Sequence, residues 1–324
     1  DYQGASTFSS ALEHQQSDIM SAFGQPEGDN YIAYSSGTLM TDSLLGMRYL
    51  LQPTGNQPTV SGTPTNMQTY SRSDTNGNYQ LVNQTKQAIL SQNPNALPLG
   101  FAASDNVRNV KFKENDPLRN QNTLWGSLNG YNQQDIFTSA NFSKSSASNL
   151  NAPATITGAY LAKQNNNEGA SLTLTYVPTS NNPYYLTLGN AVTNDNLEIQ
   201  LNGQTLPAIP SHRHTIIVPL PAHAKGQSQE VTFSLKKKDV WLQNVSLYQG
   251  NQQQINNQAK ALQQHPYKIK KQSPIKISGE ITIPKKDSMM MTTIPKSSGW
   301  QVYVDGKKTS TVTVGKFFIG VPLE

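Results

Sequence analysis

Asp105, Asp116 and Asp135, with Arg108 and Arg119 close by in sequence, are the side chains that could pair a proton-accepting carboxylate with a cation for a departing phosphate. Transfer from a phosphorylated carrier to a hydroxyl needs both groups. Asp116, however, stands directly before Pro117, the arrangement of a helix cap followed by proline in the first turn. His212-x-His214 is a second constellation, because residues two apart on a strand face the same side, as in some zinc sites. Only His223 follows nearby and no carboxylate is close, so a polar outer face accounts for the pair. No Gly-x-Ser-x-Gly, His-Glu-x-x-His, phosphate loop or dinucleotide fingerprint occurs. Hydrolase and nucleotide-enzyme readings have no foothold; no catalytic, cofactor-binding or metal residue is assigned, and no cofactor is expected.

Binding chemistry is better represented. The net charge is +5 and the pI near 9.1, and the lysines cluster as Lys236-Lys237-Lys238, Lys268-Ile269-Lys270-Lys271 and Lys285-Lys286. None of these runs is interleaved with stacking aromatics, so nucleic acid is not expected as a partner. Lys236, Lys237, Lys238, Lys270 and Lys271 are instead candidates for contact with an anionic polymer or lipid headgroups, solvated strand-end lysines being the plain alternative. Tyr160, Tyr176, Tyr184, Tyr185, Trp241 and Tyr248 supply rings that could line a carbohydrate platform, with Tyr184, Tyr185 and Trp241 as the leading candidates, while half or more of the six are expected to be core.

Elements that would position these groups follow from pattern. Hydrophobic residues make up 35% and charged residues 14%, so Asn, Gln, Ser and Thr supply the polarity. Cysteine is absent, which removes disulfides and thiolate metal sites and fits a protein outside a Gram-positive membrane. No run approaches the roughly 18–20 apolar residues that cross a bilayer. A mixed α/β domain is expected over 1–140, with helices near 10–23, 41–45 and 116–128 and a polar excursion at 56–78. Short strands then recur over 141–250, at 155–162, 171–176, 184–188, 197–201, 215–219, 230–235 and 240–248, predicting a jelly-roll or immunoglobulin-like β-sandwich. Alternation at 184–188 predicts one buried face and one wet face. A Gln-rich linking helix is expected over 251–266 and a small β domain over 267–324. Asn202-Gly203 and Asp305-Gly306 predict hairpins, the second returning over 311–319. A start at Asp1 and an end just past a strand suggest a segment of a longer protein.

Three stretches carry a resemblance: Ser43-Leu44-Leu45-Gly46-Met47-Arg48-Tyr49-Leu50, Asn95-Ala96-Leu97-Pro98-Leu99-Gly100-Phe101, and Ile294-Pro295-Lys296-Ser297-Ser298-Gly299-Trp300-Gln301-Val302-Tyr303-Val304-Asp305-Gly306-Lys307. In order and spacing the chain resembles the extracytoplasmic part of the YfhO family, multi-pass bacterial membrane proteins regarded as C-type glycosyltransferases. The resemblance implies membrane helices on both flanks, a polyprenyl-phosphate sugar as donor, and lipoteichoic acid or a related cell-wall polymer as acceptor. It places the catalytic carboxylate in an early loop outside this chain, so no catalytic residue is carried over. The implied location is the extracytoplasmic face of the cell membrane. A cell-surface carbohydrate-binding or adhesion module is the alternative.

Overall fold

Alternating burial is plainest in the middle of the chain. In the computed structural model, which describes residues 5–53, 72–130, 135–206, 209–284 and 289–323, strand Ala170–Tyr176 buries Ala170, Leu172, Leu174 and Tyr176 and turns Ser171, Thr173 and Thr175 the other way. It sits in a five-stranded antiparallel sheet ordered Gln204–Thr205, Leu197–Leu201, Gln229–Leu235, Ala170–Tyr176, Lys144–Ser148. A four-stranded sheet ordered Ile216–Leu220, Tyr184–Leu188, Ser246–Gly250, Phe137–Ala140 packs on it. Leu172, Leu174 and Phe233 from the first sheet meet Leu186, Val218 and Leu247 from the second in one apolar core, so the mainly-β sandwich expected from the strand spacing is present.

The second sheet departs from the expected alternation. All five residues of Tyr184–Leu188 are buried, including Tyr185 and Thr187, which were expected to meet water. The outer face of this sheet is covered: Tyr185, Ile217 and Phe137 belong to a second core built from the chain's two ends. A strand buried on both faces reads as a continuous run, not as alternation.

That second core holds helices α1 (His14–Ala22), α2 (Leu39–Leu44), α3 (Pro117–Leu128) and α4 (Gln252–Gln263). It also holds a sheet ordered Val312–Val314, Phe318–Pro322, Met289–Pro295, Gly100–Ala103. Gly100–Ala103 lies far upstream, yet Ala103 pairs with Met289 and Phe101 with Met291. Residues 289–322 therefore complete a sheet that the N-terminal part begins and do not stand as a separate small domain. Nor is α4 only a link. Its helical-period residues Ile255, Ala259 and Leu262 are buried in this core, and Asn251 caps it by accepting from the Gln254 N–H at 3.0 Å.

Local chemistry sets the boundaries. Thr38 caps α2 through a reciprocal pair, accepting from the Thr41 N–H at 3.1 Å while Thr41 Oγ1 accepts from the Thr38 N–H at 2.9 Å. Gly46, at φ +67°, ends it, and the Met47 N–H reaches back to the Asp42 carbonyl at 2.8 Å. Both predicted tight turns have paired positive φ, Asn202 at 50° with Gly203 at 77° and Asp305 at 49° with Gly306 at 78°, as a type I′ hairpin requires. The second turn returns at once: Lys307–Thr309 pairs with Val302–Val304. Residues 312–322 then form a further hairpin, Val312–Val314 with Phe318–Pro322. Among the described residues no helix is long and apolar enough to cross a membrane.

Candidate functional site

Strand Tyr160–Ala162 pairs antiparallel with Asp239–Trp241, placing Trp241 directly opposite Tyr160. The two-residue period sends Leu161 and Val240 into the sandwich core and leaves Tyr160 and Trp241 67% and 45% exposed. Tyr160 donates its hydroxyl to Asp239 Oδ1 at 2.9 Å, and Trp241 donates its indole N–H to the Gly158 carbonyl at 3.1 Å. Both rings are thus tethered at one end and partly open to solvent. The hydrogen bond to the Asp239 carboxylate pushes the Tyr160 hydroxyl above the ordinary tyrosine range, so it remains a donor. Ala162, opposite Asp239, leaves the outward side beside the carboxylate low.

Lys236, Lys237 and Lys238 lead straight into this ribbon and all three are exposed. The Lys163 N–H donates to the Lys238 carbonyl at 2.9 Å, continuing the pairing to a second lysine. Lys236 Nζ donates to the Asn194 carbonyl at 2.6 Å, and Lys238 Nζ stands 3.9 Å from Asp239. Two flat rings, a carboxylate and an exposed lysine run therefore share one edge of the sandwich. Rings of this kind pack on the C–H faces of sugars, while the lysines attract anionic groups. Trp241 and the 236–238 run, singled out separately in the sequence, are brought together here. Tyr184 and Tyr185 are not: both are buried, because the sheet that carries them is covered on both faces. The partner ring is Tyr160.

Lys270 and Lys271 lie on a different element, the hairpin Lys268–Ser273 with Lys276–Glu280, where Lys270 Nζ is 3.1 Å from Glu280. Lys285 and Lys286 lie outside the described residues.

Of the expected acid and base candidates, Asp116 and Arg119 both act on the Tyr248 hydroxyl. Asp105 forms an exposed ion pair with Arg108. Asp116 occupies the cap position of α3 with Pro117 following, although its side chain makes no capping hydrogen bond. The ring nitrogens of His212 stand 3.0 Å from the Pro210 carbonyl and 3.2 Å from the Gly189 carbonyl. His214 Nδ1 lies 2.8 Å from buried Glu27, which also accepts from Arg213. The two histidines therefore face different partners, and among the described residues no group of three or more metal-ligating side chains converges.

A charged cluster that the sequence pattern concealed lies buried between the sandwich and α2. Arg72 donates from Nε and Nη2 to Asp74 at 2.8 and 3.0 Å, and from Nη1 and Nη2 to Asp42 at 3.1 and 3.0 Å. Tyr34 and Tyr79 donate to Asp42 at 2.7 and 2.5 Å, and Tyr185 donates to Asp74 at 3.1 Å. Burial, then the neighbouring carboxylates, hold all three hydroxyls well above the ordinary tyrosine range. Burial opposes the charge on Arg72, but Asp42 and Asp74 override it and the guanidinium stays protonated. Gly37 allows the close approach, since a Cβ there would lie 2.4 Å from Arg72 Nη1. The 56–78 stretch, read as a polar excursion, thus ends in buried Arg72, Asp74 and Thr75. With Arg72, Asp42 and Asp74 buried, the cluster binds parts of the chain to one another.

A family model described as bacterial membrane protein YfhO matches residues 1–324. The chain belongs to the YfhO family. No curated protein matches it. Among solved structures, it shares 16% identity with a β-glucosidase from Kluyveromyces marxianus in complex with glucose, over 30% of this chain and 12% of that one, at a TM-score of 0.22. A family 35 carbohydrate binding module from Clostridium thermocellum shares 17% identity, over 35% of this chain and 95% of that one, also at 0.22. The ANX2 ectodomain from Arabidopsis thaliana shares 12% identity, over 48% of this chain and 40% of that one, at 0.21.

The three stretches that carried the YfhO resemblance meet around α2 and its neighbouring sheet. The Leu97 N–H donates to the Ser43 carbonyl at 2.8 Å, where a Cβ on Gly46 would lie 2.9 Å from the Leu97 carbonyl oxygen. The Thr293 N–H donates to the Leu99 carbonyl at 3.0 Å, bringing in the strand that opens the third stretch. In this YfhO chain the first two stretches and the Ile294-Pro295 start of the third therefore contact one another, whereas the Asp305-Gly306 turn lies in a separate two-stranded hairpin.

Proposed function

We propose that this chain is the water-facing, non-catalytic region of a polytopic bacterial membrane glycosyltransferase. It lies at the extracytoplasmic face and holds an anionic cell-wall polymer such as lipoteichoic acid while a polyprenyl-phosphate sugar is transferred by the membrane part. The observation that carries this reading is the Tyr160–Trp241 pair beside Lys236, Lys237 and Lys238. Partly open rings suit the sugar or polyol units of such a polymer, and the lysines suit its phosphates. Membership of a bacterial membrane protein family supports the setting.

Retention of the 324-residue chain on immobilised glycerol-phosphate teichoic acid tests it. Trp241→Ala should weaken binding roughly fivefold, about 1 kcal/mol, and charge reversal at Lys236, Lys237 and Lys238 should abolish the salt-sensitive part of the retention. If both variants are retained like the parent chain while remaining folded, the platform reading fails.

A further inference from the structure

Charge in this chain is unevenly placed. Residues 267–324 carry ten lysines and four acidic residues, whereas residues 1–266 carry fifteen basic and sixteen acidic ones. The whole positive excess therefore belongs to the last fifth of the sequence. Much of that fifth is a pair of two-stranded hairpins, Lys268–Ser273 with Lys276–Glu280 and Val302–Val304 with Lys307–Thr309, neither of which joins a larger sheet.

The first hairpin shows all six residues of Lys268–Ser273 to solvent, and Ile275, in the turn at its tip, is 91% exposed. Ile269 on the same hairpin, and Trp300 and Tyr303 on the other arm, are exposed as well. A groove of about 930 Å³ is lined by Tyr267, Ile277 and Ile281, by Trp300 and Val302 of the other arm, and by Ile294. Lys268, Lys271, Lys276, Lys307 and Lys308 are exposed and form no ion pair with described residues. Lys270 alone is paired, across the surface to Glu280. The other carboxylate lining the groove is Asp305, in the turn of the second hairpin.

An isolated two-stranded hairpin with bare isoleucines is a poor solution in water. It is a good one at a lipid–water boundary, where apolar tips enter the acyl region, Trp and Tyr sit at headgroup depth, and lysines meet anionic headgroups. A wholly soluble polyanion would satisfy the lysines and leave Ile275 unexplained. We propose that the C-terminal pair of hairpins is a membrane-docking surface whose partner is an anionic phospholipid bilayer, with Ile275 as the inserting tip and Lys268, Lys271 and Lys276 as the headgroup contacts. The surface is separate from the Tyr160–Trp241 ribbon, so it stands or falls independently of polymer binding.

Co-sedimentation of the 324-residue chain with vesicles of equal parts phosphatidylglycerol and phosphatidylcholine tests the proposal, with vesicles of phosphatidylcholine alone and soluble glycerol-phosphate polymer as the other arms. Binding to the anionic vesicles is expected to exceed binding to neutral ones by about tenfold or more. Ile275→Ser should lower vesicle binding several-fold without changing the thermal midpoint, since the side chain is already in water. Reversing Lys268, Lys271 and Lys276 should reduce it to the neutral-vesicle level, and Trp241→Ala should leave it unchanged. No preference for anionic vesicles would overturn the proposal, as would binding that Ile275→Ser does not alter; the same loss with the soluble polymer on lysine reversal would then mark the surface as a polyanion site.

Discussion

Arg72 is held by four hydrogen bonds to two buried carboxylates, and its removal leaves both without a cation. Arg72→Met should destabilise the fold by about 3–5 kcal/mol, the range for breaking a buried ion pair from one side, read as a lower urea midpoint at unchanged slope. Asp74 carries a further signature. Burial pushes its carboxyl above the usual value of 3.8, against the pull of Arg72. The folded chain therefore holds this proton more tightly than the unfolded chain does. That contribution is complete below the unfolded pKa and is lost as pH rises through the higher folded one. Asp74→Asn, neutral throughout, should show a flatter urea midpoint than the parent chain over this window; an equal pH slope in both would count against Asp74 as its source. Nothing in the local sequence announces this cluster. Arg72 and Asp74 sit in a Thr-, Ser- and Asn-rich run, and the partner Asp42 lies thirty residues away.

At the scale of elements, the legible features were those decided within a few residues. Asn202-Gly203 and Asp305-Gly306 specify type I′ turns because both central residues must take positive φ, and both do. Gly46 terminates α2 for the same reason, with the added constraint of the Leu97 carbonyl 2.9 Å from any Cβ. Gly46→Ala should accordingly cost about 1–2 kcal/mol, measurable by thermal melting, where Gly203→Ala costs only the backbone strain because nothing lies within 4 Å of its Cβ. Strand Lys144–Ser148 was not legible. Its sequence, Lys-Ser-Ser-Ala-Ser, has no apolar alternation, and it forms because Ala170–Tyr176 offers an edge to pair with. Helix α4 was visible as a helix from Ile255, Ala259 and Leu262, but its Gln-rich composition hid the fact that this stripe is buried. Of the candidate site, Trp241 and the 236–238 lysines were found. Tyr160 was noted only as one ring among six, since the register that sets it opposite Trp241 is a tertiary fact.

For the whole molecule, the sandwich is flanked in sequence by the two parts that make the second core. Gly100–Ala103 needs Met289–Pro295 beside it, and α4 packs against α2. Removing residues 267–324 should therefore take Met291 from beside Phe101, Phe318 from Phe23 and Phe317 from Phe112 and unfold the N-terminal part, seen as loss of helical circular dichroism with an aggregation-prone product. A truncated chain that retained α1 to α4 would contradict the shared core. Tyr185 ties the halves further, its ring edge-on to Phe137 at 5.3 Å and its hydroxyl on Asp74, so the intact chain is expected to melt in one transition.

The pairing of residue 103 with residue 289 also imposes an order of events on the chain as it is made. A nascent polypeptide emerging N-terminus first has its helices and strand 100–103 available early, yet their sheet partners arrive nearly two hundred residues later. Until then the sandwich and the small sheet of Tyr49–Pro53, Ala88–Gln92 and Gln80–Gln84 can close, but the sheet containing Gly100–Ala103 cannot. Pulse-labelled hydrogen exchange during refolding should show Leu172, Phe233 and Leu247 protected before Phe101 and Met291. The early segment, meanwhile, must wait with its apolar face unshielded, which makes the interval between synthesis of its first and last strands the period of greatest exposure to aggregation and proteolysis.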